Sequence, residues 1–422
     1  MRVLLVVKSM MMENLGVMYL SSVIKKGGHE CRIVDMGFTV GNIVEWVPDI
    51  IGYSIMTGDQ LRFQKINDVV LHAIKVYGNG KPKIIVGGPD PTFFPEGYDW
   101  ADEICKGEGE KWMADFLLKI EEPGWVHAFP TAETLINLFP WPDRTSFPNM
   151  KVRDFITSRG CPYNTCHYCY NERWMKLFPE YEKVRIRNPK DVVDEIKSVN
   201  PEYVYFQDSV FGISMDWMKE FAKEYPKIPY QCHLRPEMVT EERVGLLKES
   251  NCVAVRMALE TADEGLREMV GRKMKLETVS FASMMLKQYD IQSMMQNILA
   301  LPNSTIEQDL ETLEFNIKCS PTYAWSSIYV PYPGTVLGDL CKEKGWYKGN
   351  YENITDSFFA ESVLEFPKEQ KEQQYILWSV FDLCVRYGYL PKPEELTYKA
   401  LPKLIHTITR RNGDKKLYLG LL

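Results

Sequence analysis

The chain contains no apolar run approaching the ~20 residues that span a bilayer, which argues against a membrane anchor. Positive charge is not in excess either: 50 Lys and Arg stand against 57 Asp and Glu, a net charge of −7. Nucleic-acid binders usually carry a basic footprint, so that class has no support. No internal repeat at solenoid periods and no low-complexity tract is present. Ten cysteines are scattered apart from one cluster, which fits a reducing cytosol rather than a disulfide scaffold. Val3–Val7 is short for a signal peptide and is closed by Lys8, so it reads as a buried first strand. What remains is an ordinary globular composition, 45% hydrophobic and 25% charged over 422 residues. That length holds two to three domains with full cores, and a cytoplasmic protein is expected.

Residues 1–122 alternate short apolar runs with helical patterns. Val3–Val7, Cys31–Val34, Ile50–Met56, Ile84–Val86 and Glu103–Cys105 read as strands, with helices at Gly16–Lys26, Leu61–Val76 and Glu110–Ile120. This order predicts a doubly wound, Rossmann-type parallel sheet with any ligand at the carboxyl ends of its strands. Glycines at Gly87-Gly88 and in Lys106–Glu110 would let backbone approach a bulky ligand, although tight βα turns explain them equally.

Residues 123–150 are rich in proline and aromatics without periodicity and read as an ordered linker. A second βα series then spans 151–345. Its candidate strands are Asp154–Thr157, Tyr203–Gln207, Tyr230–Leu234, Val253–Leu259, Gln292–Leu301 and Ala324–Val330. Helices are expected at Pro189–Val199, Met215–Tyr225, Glu241–Lys248, Glu277–Tyr289 and Thr305–Ile317. Thr261-x-x-Glu264 and Ser304-x-x-Glu307 read as capping boxes at helix starts. Six units are too few for an eight-fold barrel and predict a partial (β/α)6 barrel, with chemistry at the carboxyl ends of the strands. Residues 346–422 read as a small, mainly helical domain, amphipathic around Glu369–Tyr387. The run Arg410–Lys416 reads as a solvated Asn-Gly turn or, alternatively, a basic contact site.

The first barrel strand leads into Cys161, Cys166 and Cys169, a C-x4-C-x2-C pattern. Three chemistries compete for it. The spacing matches a plant-type ferredoxin, but the next cysteine, Cys232, lies beyond a complete βα unit. A zinc site with His167 is a second reading, made awkward by the position of that ring between two cysteines. The third is a four-iron cluster held by three thiolates, whose open iron binds substrate or cofactor.

Gly16–Glu30, Ile85–Thr92, Gly107–Glu110, Ile156–Asn164, Ala258–Thr261 and Pro331–Thr335 together resemble the cobalamin-binding branch of the radical S-adenosylmethionine (SAM) enzymes, the class B methyltransferases. Each stretch is weak alone; their order and spacing are specific. The family norm is C-x3-C-x2-C, so this chain carries an extra residue around Asn164-Thr165.

The resemblance implies that Cys161, Cys166 and Cys169 ligate three irons of a [4Fe–4S] cluster and that SAM chelates the fourth. Tyr168 matches an aromatic position beside the adenine, against a reading as barrel core. Gln207, Asp208 and Ser209 match the region meeting the methionine amino group, although Asp208 could simply cap a strand end. Glu260 matches a carboxylate contacting SAM; such a charge at the end of an apolar strand is costly without a partner. Arg235 and Arg256 could pair with that carboxylate or with substrate, or form a structural ion pair. For cobalamin the matching residues are Ser54, Thr57, Gly87, Gly88, Asp90, Thr92, Gly107, Glu108, Gly109 and Glu110. No D-x-H-x-x-G motif supplies an axial histidine.

By the same resemblance, cleavage of SAM yields a 5′-deoxyadenosyl radical that abstracts hydrogen from an unactivated carbon. Cobalamin then delivers the methyl group, in a water-poor cavity kept free of oxygen. An electron donor such as a ferredoxin or flavodoxin is implied, and a monomer is expected. The compact C-terminal end fits a peptide or protein substrate, and the enzymes that C-methylate glutamine or arginine of methyl-coenzyme M reductase are the relatives to test first. A small-molecule substrate, with a non-methylating cyclisation or ring contraction, is the alternative.

Overall fold

The computed structural model describes residues 1–37, 46–77, 80–121, 136–137, 139–181 and 183–410. Two compact units emerge. The first comprises the described residues of Met1–Cys232 with Tyr332–Asp339 and Gly349–Asp356; the second comprises His233–Pro331, Leu340–Lys348 and the described residues from Ser357 on. The C-terminal part of the Arg410–Lys416 run and the linker residues Trp125 and Pro130 lie outside the described residues.

In the first unit, strands β1 (Arg2–Val7), β2 (Glu30–Asp35), β3 (Ile50–Ser54), β4 (Lys83–Gly87) and β5 (Glu103–Cys105) form a parallel sheet of order β2-β1-β3-β4-β5. Helices α1 (Leu15–Lys26), α2 (Gln60–Tyr77), the short α3 (Pro89–Phe93) and α4 (Gly109–Glu121) connect them. The period of two is plain in β1. Val3, Leu5 and Val7 pack with Met18 of α1 and Met113 and Leu117 of α4, while Leu4 and Val6 pack on the other face with Phe63 and Val70 of α2. Helices therefore cover both faces, as the continuous apolar strands require. Asn14 caps α1 by accepting from Val17 N. The strand order reverses between β1 and β3, which opens a crevice at their carboxyl ends.

The first unit continues with β6 (Val152–Phe155), β7 (Ser158–Arg159), α5 (Tyr170–Leu177), β8 (Arg185–Ile186), α6 (Pro189–Val199), β9 (Tyr203–Phe206) and α7 (Met215–Glu224), and ends within β10 (Tyr230–Leu234). β9 pairs in parallel with β6 and with β10, whereas β7 and β8 form a separate antiparallel ribbon. A buried charge network fixes this part. The Glu13 carboxylate accepts from Arg144 and Arg153 at 2.6 Å each and from Asp154 N at 2.7 Å. Arg144 also reaches Glu195 of α6 at 2.9 Å, and Arg187 reaches the same carboxylate at 2.7 Å. Charges so enclosed persist only when every one is paired.

The second unit holds α8 (Glu241–Glu249), β11 (Cys252–Glu260), α9 (Glu264–Met269), α10 (Leu276–Gln288), β12 (Gln292–Leu299), α11 (Ile306–Cys319), β13 (Tyr323–Ile328), part of α12 (Val336–Glu343), α13 (Lys368–Tyr387) and α14 (Leu401–Arg410). β12 lies between β11 and β13, parallel to both. Leu377 and Phe381 of α13 share a core with Leu313 of α11 and with Ala324 and Ile328 of β13. The barrel sheet has the strand order β13-β12-β11-β10-β9-β6, six strands as expected. No described helix is long and apolar enough to cross a membrane.

Local expectations differ at several points: β3, β12 and β13 each end two residues before the expected Met56, Leu301 and Val330. β6 ends at Phe155 rather than Thr157, because Thr157 N turns away to Asp208. Neither expected capping box forms. Asp263 caps α9 by accepting from Leu266 N at 2.7 Å, while Thr261 is engaged with Thr312; α11 is capped by the box of Thr305 and Gln308. The ribbon β7–β8 and helix α5 lie within the stretch after the first barrel strand, where no elements were expected before Pro189.

Candidate active site

The cysteine loop is fastened before it begins. At the end of β9, Asp208 is buried and accepts hydrogen bonds from Thr157 N, Thr157 Oγ1 and Ser158 Oγ at 3.0, 2.7 and 2.6 Å. Its carboxylate thus caps a strand end and holds the turn into β7. Gly160 then takes φ 97°, where a side chain would be strained, and Cys161 follows. Asn164 adopts φ 42°, one of the few residue types that tolerate the left-handed region. The residue that lengthens the first cysteine gap is therefore taken up as a left-handed turn.

Cys169 N donates to Cys166 O at 2.9 Å, and Asn171 Nδ2 donates to Cys169 Sγ at 3.4 Å. Burial pushes the Cys169 thiol up to about 11; hydrogen bonds from Asn171 oppose this, and the neighbouring Cys166 and Cys161 add to it. Among the described residues, no group of three His, Cys, Asp or Glu side chains is poised around a single ion. In a cubane each thiolate takes a different iron, so three soft donors on one loop fit a cluster with an open position. Tyr168 is half-buried within the same loop.

A cavity of ≈ 580 Å³ lies in the first unit, within the range of small-molecule and cofactor sites. Ser54, Gly87, Gly88 and the turn Gly107–Glu110 line it from the carboxyl ends of the N-terminal strands. Arg159 of β7 and Gly160 after it, Tyr170 and Trp174 of α5, and Gln207 and Ser209 after β9 complete the wall. A Cβ at Gly88, which has φ 107°, would lie 2.6 Å from Ile55 O, so only glycine fits. Here the backbone itself forms the surface, as a large flat ligand requires. The fit to cobalamin rests on this cradle.

Thr57, Asp90 and Thr92 are not among the cavity-lining residues. Thr92 Oγ1 donates to Gly88 O at 2.7 Å and accepts from Gly107 N at 3.2 Å, tying the two glycine turns together. Asp90 is buried and accepts from Tyr98 OH at 2.6 Å; burial raises its pKa, against hydrogen bonds from Tyr98 and Thr57. These residues brace the cradle from behind.

Glu108 and Glu110 line the cavity and are bound to arginines. Glu108 Oε2 accepts from Arg159 Nη1 at 3.0 Å and Arg185 Nη1 at 2.7 Å, and Arg159 Nη2 also pairs with Glu110. Burial works against the charge of Glu108, but Arg159 and Arg185 outweigh it and hold the carboxyl below its ordinary range. Arg159 stacks over Tyr19 at 5.3 Å and Arg185 over Tyr181 at 4.4 Å. Arg159 stands in the stretch Ile156–Asn164 and was overlooked because a single arginine has no spacing signature. Arg185 had no local signal.

Helix α5 was also missed. Tyr170 and Trp174, 6.2 Å apart, occupy one side of it, but eight residues make a weak periodic signal.

The remaining candidates belong to the second unit. Glu260 ends β11 at a register shift after Ala258, buried and with φ 70°. A non-glycine residue held in the left-handed region costs roughly 1–2 kcal/mol, and such outliers cluster at functional sites. Arg235 Nη2 pairs with Glu237 Oε1 at 2.6 Å. Burial, with Arg256 nearby, lowers His233 to about 4, so its imidazole is neutral at physiological pH.

A model of the radical SAM superfamily matches residues 155–315, and a model of the B12 binding domain matches residues 1–117. The chain is 25% identical over 370 residues to an uncharacterized methyltransferase of Pyrococcus horikoshii, covering 76% of this chain and 77% of that protein. It is 25% identical over 381 residues to the anaerobic magnesium-protoporphyrin IX monomethyl ester cyclase of Rubrivivax gelatinosus, covering 78% of this chain and 66% of the cyclase. In fold it is similar to the radical SAM methyltransferase TsrM of Kitasatospora setae, solved with cobalamin and a [4Fe–4S] cluster. The TM-score is 0.65 at 15% identity, over 81% of this chain and 75% of TsrM. It is also similar to the cobalamin-dependent SAM radical enzyme OxsB, with a TM-score of 0.68 at 18% identity over 96% of this chain and 70% of OxsB. A B12 binding domain thus precedes a radical SAM domain in this chain, the pairing of the cobalamin-dependent radical SAM enzymes, and it implies a [4Fe–4S] cluster, SAM and cobalamin as cofactors.

Proposed function

We propose that the chain methylates an unactivated carbon of a peptide or protein residue. The observation that carries this reading is the shared cavity. Arg159 of β7 and Gly160, which lead directly into Cys161, and the glycine turns of the N-terminal sheet line the same ≈ 580 Å³ space. When bound, the cluster and SAM supply the hydrogen-abstracting radical and cobalamin supplies the methyl group.

The chain's own residues bind and orient. Cys161, Cys166 and Cys169 would hold the cluster, and the backbone of Gly87, Gly88, Gly107 and Gly109 would cradle cobalamin. Gln207 and Ser209 line the cavity with uncharged donors and acceptors suited to the methionine end of SAM. Tyr168 would pack beside the adenine. Glu260 is proposed as a SAM contact, supported by its buried, left-handed position at a strand end. Arg235, directly after β10, would orient substrate or SAM carboxylate. A reduced ferredoxin or flavodoxin in the cytoplasm would supply the electron.

The match to the anaerobic cyclase favours a second reading, a non-methylating reaction on a small molecule. Reconstituted, reduced enzyme is incubated with SAM and glutamine- or arginine-containing peptides. A 14-dalton gain on a peptide is expected, with S-adenosylhomocysteine and 5′-deoxyadenosine in comparable amounts. Methylation confined to a small molecule overturns the peptide assignment. 5′-Deoxyadenosine without S-adenosylhomocysteine overturns methyl transfer and supports the second reading.

A further inference from the structure

Arg159 stands opposite Arg185 in the antiparallel ribbon, so both side chains leave it on the same face. Both reach Glu108, and Arg159 reaches Glu110 as well. The side chains are largely out of water: 17% exposed for Arg159, 3% for Arg185, 13% for Glu108 and 5% for Glu110. Glu108 lies in the turn between β5 and α4 and Glu110 in the first turn of α4, and both line the cavity, while Gly160 and Cys161 follow Arg159 directly. The charges therefore join the loop that would hold the cluster to the turn that would hold cobalamin. A planar guanidinium can bridge two carboxylates at fixed angles, whereas an ammonium is a single point of charge.

We propose that Arg159 is a positioning residue that locks the cysteine loop to the Gly107–Glu110 turn, so that cluster assembly and cobalamin binding strengthen one another through it. This rests on the cofactor assignment above. An ordered cysteine loop fixes Arg159, and Arg159 fixes the turn. Cobalamin then binds a turn whose ordering is already complete. Linkage makes the effect reciprocal: the factor by which the cluster tightens cobalamin binding is the factor by which cobalamin favours the cluster.

The test measures anaerobic cobalamin affinity of the full chain with and without a reconstituted cluster, in the natural protein, Arg159→Lys and Glu110→Gln. Cluster-loaded natural protein is expected to bind cobalamin about tenfold more tightly than cluster-free protein. In both variants that ratio falls toward one while the far-ultraviolet circular dichroism spectrum is retained. A purely structural role would weaken both forms equally and leave the ratio intact. An unchanged ratio in both variants, or a ratio of one in the natural protein, overturns the coupling. A natural protein that binds no cobalamin in either form overturns the cofactor assignment, and the coupling with it.

Discussion

The carboxylate of Asp208 accepts hydrogen bonds from both the backbone N–H and the hydroxyl of Thr157, at 3.0 and 2.7 Å. The turn into the cysteine loop is thereby fastened to the end of a neighbouring strand, before the ribbon and its arginines take over. Burial raises the Asp208 pKa, while the hydrogen bonds from Ser158 and Thr157 oppose the shift. Replacing it by Asn leaves one carbonyl oxygen for donors that now share two, and sets an NH2 against them. Asp208→Asn is expected to cost about 1.5–3 kcal/mol, read as a lowered urea midpoint, and to shed iron faster during anaerobic gel filtration. Natural stability and natural iron retention would mean that these hydrogen bonds do not hold the loop.

Glu260 offers a way to separate strain from function. At φ 70° glycine is relaxed where glutamate is not, so Glu260→Gly relieves roughly 1 kcal/mol of backbone strain. The expected result is a melting temperature equal to or above that of the natural protein, together with SAM binding at least about tenfold weaker, the effect of losing about 1.4 kcal/mol. Isothermal titration under anaerobic conditions reads the affinity. Unchanged SAM affinity would remove Glu260 from the site.

Much of the architecture was legible because the strands are apolar and short. Every strand of the N-terminal sheet lies where the apolar runs placed it, and Tyr230–Leu234 and Pro189–Val199 coincide with their expected bounds. Glycine turns at strand ends were legible for the same reason. The ribbon was not, because β7 and β8 have two residues each and the paired Arg159 and Arg185 lie 26 positions apart. The carboxylates show the same limit. Sequence pattern put Glu108 and Glu110 at the cofactor turn, but the arginines that hold them are a tertiary fact without local periodicity.

Asp309 gives a pH dependence in the second unit. It is buried and accepts from Ala300 N at 3.3 Å and from Gln374 Nε2 at 3.2 Å. Burial pushes its pKa from 3.8 up to about 7, against those two hydrogen bonds. The folded state thus holds this proton more tightly than the unfolded chain. Its contribution to stability is complete below the unfolded value and falls by on the order of 1.4 kcal/mol per pH unit as pH rises toward the folded value. Chemical denaturation at pH 5 and pH 8 should show the natural protein losing more stability than Asp309→Asn over that interval. A smaller loss in the natural protein would contradict the sign.

Counting metals on anaerobically purified and reconstituted protein tests the cysteine loop and the cradle together. About four irons with matching sulfide and one cobalt per chain are expected, and Cys166→Ala should lose most of the iron. Zinc bound in place of iron, or iron undiminished in Cys166→Ala, would contradict an open cluster on Cys161, Cys166 and Cys169.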